Sequence, residues 1–257
     1  MTLPKKLYKF ESFNELSLRN LKRQDIYFGS PKNFNDPYDC AITAQIKDLT
    51  PEQIERWIEH LWAENNYPSE IKNQVTTHEK QGVGHKIKDV VTSFISEFRD
   101  NFVSARGITC LSEKNDDLLM WAHYGGRYKG FCLEFDTNYP PFKKAKPVKY
   151  SETMPELNSM ILLEDIDQVT QYLFEHLLCT KSESWKYEKE WRAFHKEAGT
   201  LFHYAKEALT GVYFGPDMEP ECLEIIVLML KGQNPNVKFH KGKKSKTAFK
   251  VEFEAIN

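Results

Sequence analysis

Along Lys6-Leu7-Tyr8-Lys9-Phe10 polar and apolar residues alternate, the period of a strand with one covered face. A short helix is expected over about 12–22 and a second short strand at Ile26-Tyr27-Phe28. The loop that follows, Asn33-Phe34-Asn35-Asp36-Pro37-Tyr38-Asp39, is dense in turn formers, with Asp36 held extended by the proline after it. A helix begins at Thr50-Pro51-Glu52, with threonine as N-cap, proline in the first position, and Ile54, Trp57, Ile58 and Leu61 as its apolar face. A second helix is expected from about Lys86 to Ser104, and the polar stretch between the two reads as an insertion.

A β-α-β pattern comes next. Gly107–Leu111 and Gly130–Asp136 read as strands around a short helix at Asp116–Tyr124, with Ser112 and Asn115 offering cap chemistry. Further strands are expected near Val148–Tyr150, Trp185–Phe194, Gly211–Phe214, Val237–His240 and Thr247–Phe253. Helices are expected at about Leu162–Thr180 and Glu219–Lys231. With no repeat and no linker, the pattern predicts one α+β domain over 1–257. It has a single mixed, mostly antiparallel sheet, helices inserted between strands, and a helical insertion at about 49–105.

Composition narrows the function classes. The 257 residues are 40% hydrophobic and 28% charged, which argues against disorder. The net charge of −2 gives no overall pull toward nucleic acid or an anionic membrane. A nucleic-acid role would need a local patch such as Lys238, Lys241, Lys243, Lys244 and Lys246. The five cysteines are scattered, with no CxxC or Cys/His ligand spacing, so reduced thiols and no zinc site are expected. The start lacks the apolar core of a signal peptide and no apolar run has membrane length, so a cytoplasmic location is expected.

Three clusters carry candidate chemistry. In the first, Asn35 and Asp36 either build a rigid turn or face a ligand. In the second, Met120-Trp121-Ala122-His123-Tyr124, the rings of Trp121 and Tyr124 could stack on a planar group. His123 could donate a hydrogen bond or move a proton. In the third, Trp185-Lys186-Tyr187-Glu188-Lys189-Glu190-Trp191-Arg192, a strand would bury Trp185, Tyr187 and Trp191 on one face and gather Glu188, Glu190 and Arg192 on the other. A carboxylate kept there for catalysis would leave the melting temperature nearly unchanged when neutralised.

Together with Leu7-Tyr8-Lys9-Phe10, these clusters resemble the bacterial Domain of Unknown Function family number twenty-nine seventy-one, some members of which are described as abortive phage infection proteins. A more distant resemblance is to the ADP-ribosyltransferase core. It rests on Ile108-Thr109-Cys110-Leu111-Ser112 followed by Tyr124, then Gly130-Phe131-Cys132-Leu133, and a late glutamate, Glu190 or Glu188. That resemblance implies a cytoplasmic transferase that consumes NAD with no metal, acting on an unknown protein or nucleic-acid acceptor as a toxin or phage-defence effector. Its catalytic residues would be Glu190, Tyr124 and, on the first strand, Lys9 where the family has histidine or another polar residue. Tyr8, Ser112, Trp121, His123, Arg192, Asn35 and Asp36 would bind the cofactor. The rivals are a nucleic-acid-processing or nucleic-acid-binding protein, using Asp36, Asp39, Glu188 and Glu190 around a divalent ion or the lysines on phosphates, and a non-enzymatic ligand-sensing or protein-binding module.

Overall fold

The computed structural model describes residues 2–41, 50, 52–53, 55–57, 59, 92–93, 96–156 and 166–256. Most of the expected helical insertion at 49–105 lies outside them. Within it, the expected cap of Thr50 is present: its hydroxyl accepts from the Gln53 N–H at 3.3 Å, and the Gln53 side chain accepts from the Thr50 N–H at 2.9 Å.

An eight-stranded mixed sheet organises the chain, flanked by two two-stranded ribbons. In chain order the strands are β1 (Lys6–Glu11), β2 (Asp25–Phe28), β3 (Gly107–Ser112), β4 (Phe131–Asp136), β5 (Lys146–Pro147) and β6 (Lys149–Ser151). They continue with β7 (Thr180–Ser182), β8 (Glu190–His195), β9 (Thr200–His203), β10 (Leu209–Phe214), β11 (Lys238–Lys244) and β12 (Val251–Ile256). The helices described from end to end are α1 (Glu15–Arg23), α2 (Leu118–His123), α3 (Ile166–His176) and α4 (Pro220–Lys231), and residues 96–105 are helical as well. The main sheet runs β12-β11-β10-β4-β1-β3-β8-β5, with β1 between β4 and β3, and only the β10–β11 pair is parallel. The fold is α+β, as the sequence pattern indicates.

The two faces of the sheet differ in chemistry. Leu7, Leu111, Leu133, Phe135, Trp191, Val212 and Phe214 meet one another by register and alternation, and Leu21, Ile26, Ile226 and Leu230 from α1, β2 and α4 complete that core. On the other face the register aligns Glu134, Tyr8, Ser112 and Glu190 in one row across β4, β1, β3 and β8. There α2 lays Met120 and Trp121 against Phe10 and Cys132. One face makes the core and the other is left for the site. Trp191 is 2% exposed within the core, and its indole donates to the Glu113 carboxylate at 2.6 Å. Trp191→Ala is expected to cost about 3–5 kcal/mol in a urea melt, the range for a deleted core aromatic; a melt like that of the parent protein would contradict this placement.

Several expected elements are corrected. The strand over Trp185–Phe194 is two elements: a 3-10 turn at Glu183–Glu188, then β8, joined by Lys189 in the left-handed region at φ 47°. Three residues per turn put Trp185 and Glu188 on one side, so Trp185 and Tyr187 are half-buried at an edge rather than deep beneath a strand. The helix expected to run to Thr180 ends at His176, and Thr180 opens β7 beside β6. The ribbon strand β9, paired with β2, carries no strong apolar alternation and was not expected. The cap of α2 is Asp117, which accepts from the N–H groups of Leu119 and Met120, rather than Ser112 or Asn115. The strand expected at Val237–His240 runs on to Lys244 as β11, so it carries Lys238, Lys241, Lys243 and Lys244, and Lys246 lies in the turn after it.

Candidate functional site

Five charged side chains meet at the β8 end of the polar face. Arg192, fully buried, donates through Nε to Glu190 Oε1 at 2.7 Å and through Nη2 to both oxygens of Asp39 at 2.8 and 2.7 Å. Its Nη1 bonds the Leu178 carbonyl at 2.9 Å and the Cys40 sulfur at 3.3 Å. The ammonium of Lys181, at the centre of β7, lies 2.6 Å from Glu188 Oε2, 3.2 Å from Glu190 Oε2 and 3.3 Å from Asp39 Oδ2. All five side chains are almost fully covered. Such a cluster holds only because each charge has several close partners of opposite sign or hydrogen-bond donors.

The left-handed turn at Lys189 brings Glu188 and Glu190 to the same ammonium from different directions, one from the 3-10 turn and one from the strand. Their environments set them apart. Burial alone would raise Glu190, but Arg192 and Lys181 overcome it and hold its carboxyl down at about 2. For Glu188, burial and the Glu190 charge outweigh Lys181 and push its carboxyl above the usual range. Lys181 goes the other way: burial disfavours its charge, but the carboxylates of Glu190, Asp39 and Glu188 raise its affinity for the proton.

Over this cluster opens a cavity of about 330 Å³, lined among others by Tyr8, Asn35, Ser112, Tyr124, Glu188 and Glu190. The Tyr124 hydroxyl donates to Glu188 Oε1 at 2.7 Å and accepts from the Asn35 amide at 3.2 Å. Burial and the bond to Glu188 push its pKa well above that of a free phenol, so it keeps its proton. Tyr8 reaches across to Glu134 Oε2 at 3.2 Å. Glu134, also covered, accepts from Tyr213 at 2.7 Å and Thr210 at 2.8 Å as well, and pairs with Lys6.

The cavity thus brings together Glu190, Tyr124, Tyr8, Ser112 and Asn35 of the expected site. Ser112 is fully buried, and its hydroxyl donates to the Glu188 carbonyl at 2.6 Å, so it ties β3 to the end of the 3-10 turn. Arg192 stands behind Glu190 and Asp39 and orients them. Lys9 lines the cavity as well, with its ammonium 3.7 Å from Glu11, and its neighbour Tyr8 is the residue of β1 that reaches Glu134. Trp121 is no stacking platform: it is fully buried, edge-on to Phe10, and its indole donates to the Asn115 carbonyl at 2.6 Å. A six-residue helix has one covered side, and Trp121 occupies it. His123 is exposed at the rim, near the rings of Trp185 and Tyr187. Asp36 caps its own turn, Oδ1 accepting from the Tyr38 N–H at 2.9 Å, and borders other hollows than this one. The glycine pair after Tyr124 serves the chain. A side chain at Gly125 would come 2.5 Å from the Trp121 ring, and Gly126 turns at φ 58°.

Lys181, Glu134 and Cys110, which lines the cavity beside Ser112, were not anticipated. Lys181 sits in a three-residue strand with no periodic signal, and its role is set by partners on other elements. Its nitrogen lies where a cation shared by Asp39, Glu188 and Glu190 would lie. Among the described residues no group of three or more histidines, cysteines or carboxylates is arranged to hold a metal ion. The lysines of β11 and its turn are partly committed: Lys241 to the Met218 carbonyl at 3.0 Å, Lys243 to Glu254 and Lys244 to Asp217 at 2.6 Å. No described helix is long and apolar enough to cross a membrane.

No curated protein and no solved structure matches the chain. Residues 120–193, which include Met120 to Tyr124 and Trp185 to Arg192, match the model of a family described as "Protein of unknown function (DUF2971)". Tyr124, Lys181, Glu188 and Glu190, which all line the cavity, fall inside that match.

Proposed function

We propose that the protein is an ADP-ribosyltransferase-like enzyme that takes NAD as donor, in a toxin or phage-defence setting. The observation that carries the reading is the convergence of three separate stretches on one cavity: Tyr8 from the first strand, Tyr124 after the strand that ends in Ser112, and Glu188 and Glu190 at the start of a late strand. In the resemblance drawn from sequence, these are the places that a first-strand residue, a tyrosine and a glutamate occupy, and Lys9, the first-strand residue named there, lines the same cavity beside Tyr8.

The chemistry suits such a site. Loss of nicotinamide breaks the bond between the ribose carbon and the ring nitrogen. The bonding pair leaves with nicotinamide, and positive charge develops on the ribose. Glu190 is kept ionised by Arg192 and Lys181, so a fixed negative charge is ready where that charge would form. Tyr124 offers a ring to pack on nicotinamide, and its hydroxyl is anchored to Glu188. A volume of about 330 Å³ suits the nicotinamide and ribose end of the donor rather than all of it.

Incubating the pure protein with nicotinamide-labelled NAD, with and without cell extract, tests this. Release of nicotinamide is expected, and Tyr124→Phe should slow it at least about tenfold, the worth of one well-placed hydrogen bond. No release under either condition, or metal-dependent cleavage of RNA or DNA in its place, would remove the transferase reading.

A further inference from the structure

A second cavity, also of about 330 Å³, lies behind the first, and Lys181 lines both. Its walls are of a different kind. Tyr38, Met154 and Trp185 supply aromatic and apolar surface, and Ser151, Thr153, Thr180, Ser182 and Ser184 supply hydroxyls. Among its described lining residues Asp36 and Glu152 are the acids and Lys181 is the base. Lys181 is spoken for by Asp39, Glu188 and Glu190. Counting Arg192 with them, three carboxylates face two cations, so the wall shared with the first cavity is not electropositive.

Asp36 gives the cavity its specificity. The residue is more than nine-tenths buried, and Oδ1 is taken by the Tyr38 N–H. Oδ2 is buried with no hydrogen-bond partner. An unpartnered covered carboxylate oxygen is costly and is relieved by an N–H donor, best a charged one. A donor with a flat face would also find Trp185 and Tyr38. An anion such as a phosphate would instead meet Asp36 and Glu152.

We propose that this second cavity binds a guanidinium group carried on a short alkyl chain. The guanidinium would draw the covered Oδ2 of Asp36 round into the cavity and donate to it, and would lie near the rings of Trp185 and Tyr38, while the hydroxyls around them receive its remaining N–H groups. The site does not depend on the donor reading of the first cavity. If that reading also holds, the guanidinium would stand on the far side of Lys181 from the ribose site.

Binding of butylguanidinium to the whole protein, followed by calorimetry, tests the inference without any activity assay, so its failure is separate from failure of the NAD reading. Saturable binding at about 1 mM or below is expected, with butylurea, its neutral isostere, at least about tenfold weaker. Asp36→Asn keeps the Oδ1 that caps the turn, and should weaken binding about tenfold to a hundredfold at an unchanged melting temperature. Asp36 also borders a third hollow, near Pro31 and Arg99, which Trp185 does not line. Trp185→Ala should therefore weaken binding too. Equal binding of butylurea, no saturable binding, or full affinity in either folded variant would overturn the inference.

Discussion

Replacing Arg192 by methionine is expected to cost about 3–5 kcal/mol of folding stability, the effect of removing one member of a buried charge network. The loss comes less from the bonds that vanish than from what remains: Glu190 and Asp39, covered and facing each other, with only Lys181 to answer them. The signature is in the pH dependence. Without the guanidinium, burial acts on the Glu190 carboxyl with only Lys181 against it and lifts it from its depressed position, so the variant loses less stability than the parent as pH falls. Urea melts at pH 7 and pH 5 measure it. A variant that unfolds at the parent's midpoint at both values would show that Arg192 carries little of the fold.

Glu190→Gln should have the largest effect on activity, removing any NAD-dependent turnover by about a hundredfold to a thousandfold, the scale of a lost electrostatic stabiliser. The melting temperature is not expected to stay where it was, contrary to what sequence alone suggested, because Glu190 also stabilises Arg192 and Lys181. The sign follows from the depressed carboxyl. With a folded value of about 2 against an unfolded one near 4.3, its contribution is fully present above pH 4.3 and is lost as pH falls through 2. At about 1.4 kcal/mol per unit, that is roughly 3 kcal/mol. Glu188, shifted upward, works in the opposite sense, adding stability as pH falls through its raised value. Acid melts should therefore fall steeply below pH 4.3 in the parent and less so in Glu190→Gln, while Glu188→Gln should remove a gain that comes at higher pH, as pH falls through the raised Glu188 value. Parallel acid limbs in parent and Glu190→Gln would refute the ion-pair assignment. The activity assay belongs well below the variant's melting point, so that loss of turnover is not loss of fold.

The readability of this site in the sequence varied with the range of the interactions behind each part. Alternation along Glu190-Trp191-Arg192 is local, so the buried tryptophan and the paired charges opposite it could be inferred. Tyr124 follows from a strand and a helix that are both short and well marked. Trp185 and Tyr187 misled because a two-residue and a three-residue period agree over so short a run, and only the left-handed Lys189 decides between them. That Tyr8 rather than Lys9 meets Glu134 depends on the pairing of β1 with β4 and β3 rather than on β1 itself. Lys181 carries no local signal at all, since everything it does is done through residues on other elements.

Asp39 and the guanidinium it grips are 153 positions apart, while Lys181, Glu188, Glu190 and Arg192 all fall within one short stretch. In a chain emerging from the ribosome at roughly 5–20 residues per second, Asp39 would be made roughly 8–30 s before its partner. Strand β1, central in the finished sheet, must likewise wait for β3 and β4, and the late strand then adds beyond β3. The carboxylate wall of the cavity is therefore among the later parts to be synthesised. A nascent chain lacking residues 188–190 has the tyrosines of the cavity but neither of its glutamates, so the site comes into being in time as a single late event.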